Sequence, residues 1–76
     1  MAVHRERSLR RFGRALAELR RDAGLSQEEL AHRSGLHRTY VGGVERGERN
    51  PTLTTLLALA RGLGLNPSVL LERAFS

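Results

Sequence analysis

The segment from Leu25 to Pro51, LSQEELAHRSGLHRTYVGGVERGERNP, constrains this chain more than any other stretch. Ser26 followed three residues later by Glu29 has the spacing of a capping box. In that arrangement the hydroxyl accepts from a helix amide without an intrahelical partner, and the carboxylate reaches back to the Ser26 amide. A helix therefore starts at about Gln27, with Leu30 and Ala31 facing inward. Gly35 falls where that helix must stop and reverse, because glycine enters the left-handed region with no Cβ penalty. Leu36 plugs the turn. A further helix opens at about His37 or Arg38, with polar groups on its first turn and Val41 and Val44 spaced to bury its other face. The exit from it, Arg46 to Asn50, is polar.

The flanks also read as helices. Leu9, Phe12, Leu16, Leu19 and Ala23 recur at spacings of three and four, giving the apolar face of an amphipathic helix that Gly24 ends. Thr52 is the expected cap of a fourth helix, whose inward face is Leu53, Leu56, Leu57, Ala60 and Leu63, with Gly64 as its stop. Asn66 before Pro67 starts a last short helix, since proline tolerates the first helical position, where its missing amide would be unpaired anyway. The expected helices cover 8–23, 26–33, 37–45, 52–63 and 67–74, preceded by a flexible basic arm over 1–7 that carries Arg5 and Arg7. There is no strand signal, repeat or low-complexity linker. The fold class is thus all-α, five helices in a single domain over 1–76. Leu65 and Leu70 can close the core, which leaves Val69, Leu71 and Phe75 as a neighbouring stripe, either ordinary exposed hydrophobe or a dimer interface.

A chain of 76 residues makes one domain, and at this size it buries only about 60% of the surface its unfolded form exposes. With no Cys it has neither a disulfide framework nor a thiolate metal site, so stability must come from helix packing and association. No apolar run approaches the roughly 18 residues of a membrane span, and the basic N-terminus lacks a following apolar stretch. A cytoplasmic location with no membrane partner is expected. The net charge of +5 favours a polyanionic partner. All 13 basic residues are Arg; guanidinium forks suit phosphate and guanine, but codon bias in the source genome explains the missing lysines equally well. A helix, tight turn and polar second helix are together the arrangement that offers its second helix to a DNA major groove.

From Leu25 to Leu65 the chain resembles the Cro and phage-repressor class of helix-turn-helix regulators, the xenobiotic-response-element group, through LSQEELA, then GL, VERG and NP. Within that group, HRTYVGGVERGERNPTL is most similar to the controller proteins of restriction-modification systems, small stand-alone dimers with a similar RTY element and ERxxRN segment. The resemblance implies a lambda-repressor-like domain that binds a double-stranded DNA operator as a homodimer. It also favours the interface reading of Val69, Leu71 and Phe75. A twofold dimer places two recognition helices about 34 Å apart and requires a roughly palindromic site.

It further implies that Gln27 contacts a phosphate and braces the recognition helix, where the α-helix N-terminus adds a favourable field; the plain alternative is a surface residue. Arg38, Thr39 and Tyr40 occupy the first turn, within reach of base edges. Arg38 can bond O6 and N7 of a guanine together, worth about 1–3 kcal/mol of discrimination. Thr39 offers a hydroxyl and a methyl to a base, or is simply solvated. Tyr40 is ambiguous in a different way, since its ring can pack beneath the helix while its hydroxyl reaches a phosphate. Gly42 and Gly43 cost the helix about 1 kcal/mol each relative to Ala, and Gly43 replaces the larger polar residue common in the family. Close approach of the helix backbone to DNA, or room for Tyr40 and its neighbours, would offset that cost. Base reading is then expected to concentrate on the first turn, with groove shape contributing more. In relatives the exit loop follows the DNA backbone, which makes Arg46 and Asn50 phosphate ligands and Arg49 a base or phosphate ligand. Glu45 and Glu48 offer the competing reading that these arginines only satisfy local ion pairs. His37 stands at an N-cap, for which it is poorly suited, and is assigned to phosphate. Arg5, Arg7, Arg10, Arg11 and Arg14 form either an arm over the backbone or minor groove, or a solvated helix face.

The rival readings are few. No nucleophile stands near a base, and no glycine-rich phosphate loop follows a strand, so the chain is read as a non-enzyme without a cofactor. His32 and His37 lie off one helical face, which speaks against a metal site. An antitoxin or other protein-interaction module using the same fold is the alternative function. RNA polymerase is a further candidate partner. With no room for a ligand-sensing domain, control by the protein's own concentration is the simplest expectation.

Overall fold

The computed structural model describes residues 4–76, and among them there are helices and no strands. The order is α1 (Arg5–Asp22), α2 (Gln27–Ser34), α3 (Arg38–Glu45), α4 (Leu53–Leu63) and α5 (Pro67–Phe75). Four of the expected helices agree to within one residue at either end. The exception is the start of α1, where Arg5, Glu6 and Arg7 are helical and the arm expected over 1–7 is corrected accordingly. Met1, Ala2 and Val3 lie outside the described residues. The Glu6 carboxylate in the first turn complements the partial positive charge of the helix start.

The caps carry out the sequence signals. Ser26 Oγ accepts from the Glu29 amide at 3.0 Å, while the Ser26 amide donates to Glu29 Oε1 at 2.9 Å. Thr52 accepts from the Thr55 amide and Asn66 from the Ser68 amide, ahead of Pro67. Gly35 turns left-handed at φ 70°, and the Leu36 amide returns to the Ala31 carbonyl at 2.9 Å, so the chain reverses between α2 and α3 within three residues.

Packing follows from these turns. α1 lies against α3 and α5, and α2 against α3 and α4. Leu16, Leu30, Val41, Val44, Leu59 and Leu70 are completely enclosed, with Phe12, Leu19, Leu25 and Leu63 around them. The helices meet closely at two glycines, Gly62 of α4 against Ser34 of α2 and Gly13 of α1 against α3. A Cβ on Gly13 would run into the carbonyl oxygens of Val44 and Glu45, so α1 rests directly on the C-terminal backbone of α3. That contact sets the height at which α3 stands out of the bundle.

The expected inward face of α4 needs correction. Leu56, Ala60 and Leu63 pack inward, together with Leu59, but Leu53 is 72% and Leu57 42% exposed. At 100° per residue the buried stripe of a short helix is narrow, and Leu59, Ala60 and Leu63 fill it. Ala23 is likewise exposed, because α1 has already ended at Asp22. The Leu59→Ala variant should lose about 2–5 kcal/mol of stability while Leu53→Ala changes it by less than about 0.5 kcal/mol, as read from urea unfolding; equal losses would show that α4 packs on a different face.

Candidate nucleic-acid interface

The exposed face of α3 is held in place by a buried ion pair. Arg20, on the last turn of α1, donates from Nε to Glu45 Oε2 at 2.6 Å and from Nη2 to Glu45 Oε1 at 3.0 Å. Its Nη1 reaches the Leu25 carbonyl at 2.8 Å. Gln27 Nε2 donates to the same Glu45 Oε1 at 2.9 Å. One carboxylate at the end of α3 therefore gathers the end of α1, the start of α2 and the loop between them. The two charged side chains are only 10% and 6% exposed. The hydrogen bond to Glu45 raises the Arg20 guanidinium above its ordinary pKa against the opposing effect of burial.

Each residue expected at the interface has a definite place around this framework. Gln27 is hydrogen-bonded to Glu45 at the end of α3 and is half-buried, with its remaining surface beside Arg38, Thr39, Gly42 and Arg46 in one concavity. Arg38 and Thr39 are exposed on the first turn of α3, whereas Tyr40 is half-buried and packs against the core. His37 is extended at the N-cap and its side chain makes no capping bond, which leaves the imidazole exposed at that end of the face.

The paired glycines have a geometric role. A Cβ on Gly42 would stand 3.1 Å from Arg46 Nη1 and 3.5 Å from Gln27 Oε1; one on Gly43 would stand 2.8 Å from Arg49 Cγ. Gly42 thus gives the Gln27 and Arg46 heads their places, and Gly43 gives the Arg49 stem its own. Gly43 is buried, so a direct approach of its backbone to a ligand requires Arg49 to move. Arg49, remote in sequence from the first turn of α3, is brought onto the same face. Asn50 is exposed beyond it.

Of the competing ion pairs, Arg46 with Glu48 is present at 3.0 Å between exposed side chains, and the Arg46 hydrogen bond holds the Glu48 carboxyl below its usual range. An exposed pair of this kind is worth little and exchanges readily for phosphate. Glu45, by contrast, is committed to Arg20. Val69, Leu71 and Phe75 are exposed on α5. The Arg11 guanidinium lies 5.4 Å from the Phe75 ring centroid, and its Nε donates to the Ala74 carbonyl at 3.1 Å. Arg11 is therefore an interhelical tie, neither arm nor merely solvated face.

Arg20 is the residue that sequence reasoning missed. Its signal was available, since it falls one turn after Leu16 on the inward stripe of α1, where an arginine needs a buried partner. Among the described residues no cluster of His, Asp or Glu is arranged to hold a metal, and no single helix is long and apolar enough to cross a membrane.

Five helices, a capped α2, a glycine turn and an exposed first turn of α3 define a helix-turn-helix protein. Residues 16–70 match the model of the helix-turn-helix family HTH_3, and the chain belongs to that family. Its relatives sharpen the class. It is 61% identical to the control protein C.SmaI of Serratia marcescens over 49 residues, 64% of this chain and 58% of that one. The match thus spans somewhat more than half the length of the Serratia relative. The crystal structure of the restriction-modification controller protein C.AhdI from Aeromonas hydrophila is 56% identical and superposes with a TM-score of 0.80 over 82% of this chain and 94% of its own. The controller protein C.Esp1396I, at 35% identity, gives a TM-score of 0.80 over 86% of both chains when crystallised as a tetramer with its natural 35 base-pair operator. The resemblance read from the sequence, to phage-repressor-type regulators and among them to controller proteins, is borne out.

Glu45→Gln should cost roughly 3–5 kcal/mol in chemical unfolding, because it strands a buried arginine; a cost below about 1 kcal/mol would mean that solvent already reaches the pair.

Proposed function

We propose that this protein is a sequence-specific regulator that binds double-stranded DNA as a homodimer on a roughly palindromic operator, in the manner of a restriction-modification controller, and that it is not an enzyme. The observation that carries the reading is the convergence of Gln27, Arg38, Thr39 and Arg46 on one concavity, with Arg49 laid beside it over Gly43. In this reading Arg38 and Thr39 enter the major groove and read base edges, with Arg49 following from the exit loop. Gln27, His37, Arg46, Asn50 and the Tyr40 hydroxyl engage phosphates, and the Gly43 backbone reaches one only where the Arg49 stem moves aside. The phosphate ligands set register, and the base ligands set sequence. The operator complex of C.Esp1396I, a chain of the same fold, supports operator binding.

The homodimer rests on exposed apolar surface. Val69, Leu71 and Phe75 on α5 are joined by Leu53 and Leu57 on α4, more large hydrophobes than a small monomer usually leaves in water. An antitoxin would need a partner surface, and the same α4–α5 patch is the apolar candidate for one; the α3 face is charged and uncluttered, which suits DNA. Activation or repression, and any contact with RNA polymerase, then depends on where the operator lies relative to the promoter. A cytoplasmic location follows from this function.

Selection of bound sequences from a random duplex library at physiological salt tests the reading. A palindrome with half-sites about one turn apart is expected, whereas binding without sequence preference overturns it. On the selected site, Arg38→Ala should relax preference at one position of each half-site by about 1–3 kcal/mol, while Gln27→Ala weakens all sequences about equally; an unchanged profile for both would refute the docking. Leu71→Glu combined with Phe75→Glu should give monomers in sedimentation, and persistent dimers would place the interface elsewhere.

A further inference from the structure

α1 carries charge that the face just described does not use. Arg10, Arg14 and Arg21 are exposed at spacings of four and seven, hence on one side of the helix. With Arg46 they line a groove that also holds Glu18 and Glu45. Both carboxylates are engaged elsewhere, Glu45 by Arg20 and Gln27, and Glu18 by Arg73 at 3.4 Å. Among the described residues, the one acid within ion-pair distance of the three arginines is Glu6, 3.9 Å from Arg10 and largely in water. The groove is accordingly cationic. It is also continuous with the α3 face, because Arg46 borders both. The Arg10 stem packs on Gly47, where a Cβ would come within 2.8 Å of its Cγ, so the ridge starts at the exit loop itself.

We propose that Arg10, Arg14 and Arg21 form a second phosphate-binding track, which holds duplex DNA flanking each half-site. The inference rests on the regulator reading above and adds a surface to it. At about 1.5 Å of rise per residue the track is roughly 16 Å long, matching about five base pairs of duplex at 3.4 Å each. Guanidinium groups spaced along a straight helix fit a periodic line of phosphates, and the shared Arg46 places that line next to the strand followed by the exit loop. An acidic protein would meet the charge, but nothing would require it to continue into the α3 face.

The test compares the wild type with the Arg10→Gln, Arg14→Gln, Arg21→Gln triple variant on the selected operator. One duplex ends at the outer edge of the half-sites and the other carries about one further turn on each side, both measured across a salt series. The wild type should bind the longer duplex several-fold more tightly. The variant should match it on the short duplex, lose most of that gain, and show a salt slope on the long duplex lower by about one unit per lost contact. Equal gains and slopes with operator preference intact would overturn the track and leave the regulator reading standing. A variant that keeps the flank gain but fails to support RNA polymerase in transcription would assign the ridge to a protein and overturn the track as well. A wild type without sequence preference would overturn the regulator reading, and the track with it.

Discussion

The Glu45 carboxylate is the constraint on which the presentation of α3 depends. A recognition helix must project from its bundle, and a helix of eight residues is too short to be stable through its own hydrogen bonds. Val41 and Val44 anchor its inner side, but apolar packing alone tolerates rotation and sliding. Three directional hydrogen bonds to Glu45, from Arg20 and Gln27, remove that freedom. The Arg20 bond to the Leu25 carbonyl then ties the same cluster to the start of α2. A buried ion pair is weak evidence for net stability, because desolvation consumes much of its Coulombic gain. Its contribution here is orientation, supplied where Gly13 already brings α1 onto the backbone of α3.

The same cluster connects rigidity to chemistry. Gln27 donates its amide to Glu45 on one side and borders Arg38 and Arg46 on the other. A phosphate at the α2 N-terminus would therefore meet a side chain already fixed by the interior, so little rotamer entropy remains to be lost on binding. The glycines extend this logic. A larger residue at position 43 would act as its own reading element but would displace the Arg49 stem; with glycine there, an arginine from the exit loop occupies the corresponding face. The Arg49 stem thus lies over the position that a helix side chain would otherwise fill.

What was legible in the sequence were features with local causes. The capping box at Ser26 and Glu29, the left-handed Gly35 and the Asn66–Pro67 start each act within a few residues, and each appears where expected. What was not legible depended on distance. Arg20 and Glu45 are 25 residues apart, and nothing in the spacing of either announces the other. Leu53 and Leu57 look inward on a helical wheel, but the available core surface was already taken by Leu59, Ala60 and Leu63. Gly42 and Gly43 read as a cost to the helix, because the side chains that occupy their space come from α2 and the exit loop.

The exposed leucines then acquire a physical reading of their own. Leu53 and Leu57 on α4 and Val69, Leu71 and Phe75 on α5 lie on helices that do not carry the charged α3 face. A dimer formed through these residues must offset the loss of translational and rotational freedom before apolar burial yields net affinity. DNA that binds only the dimer draws the monomer–dimer equilibrium toward it by mass action. Operator occupancy would then rise more steeply than linearly with protein concentration.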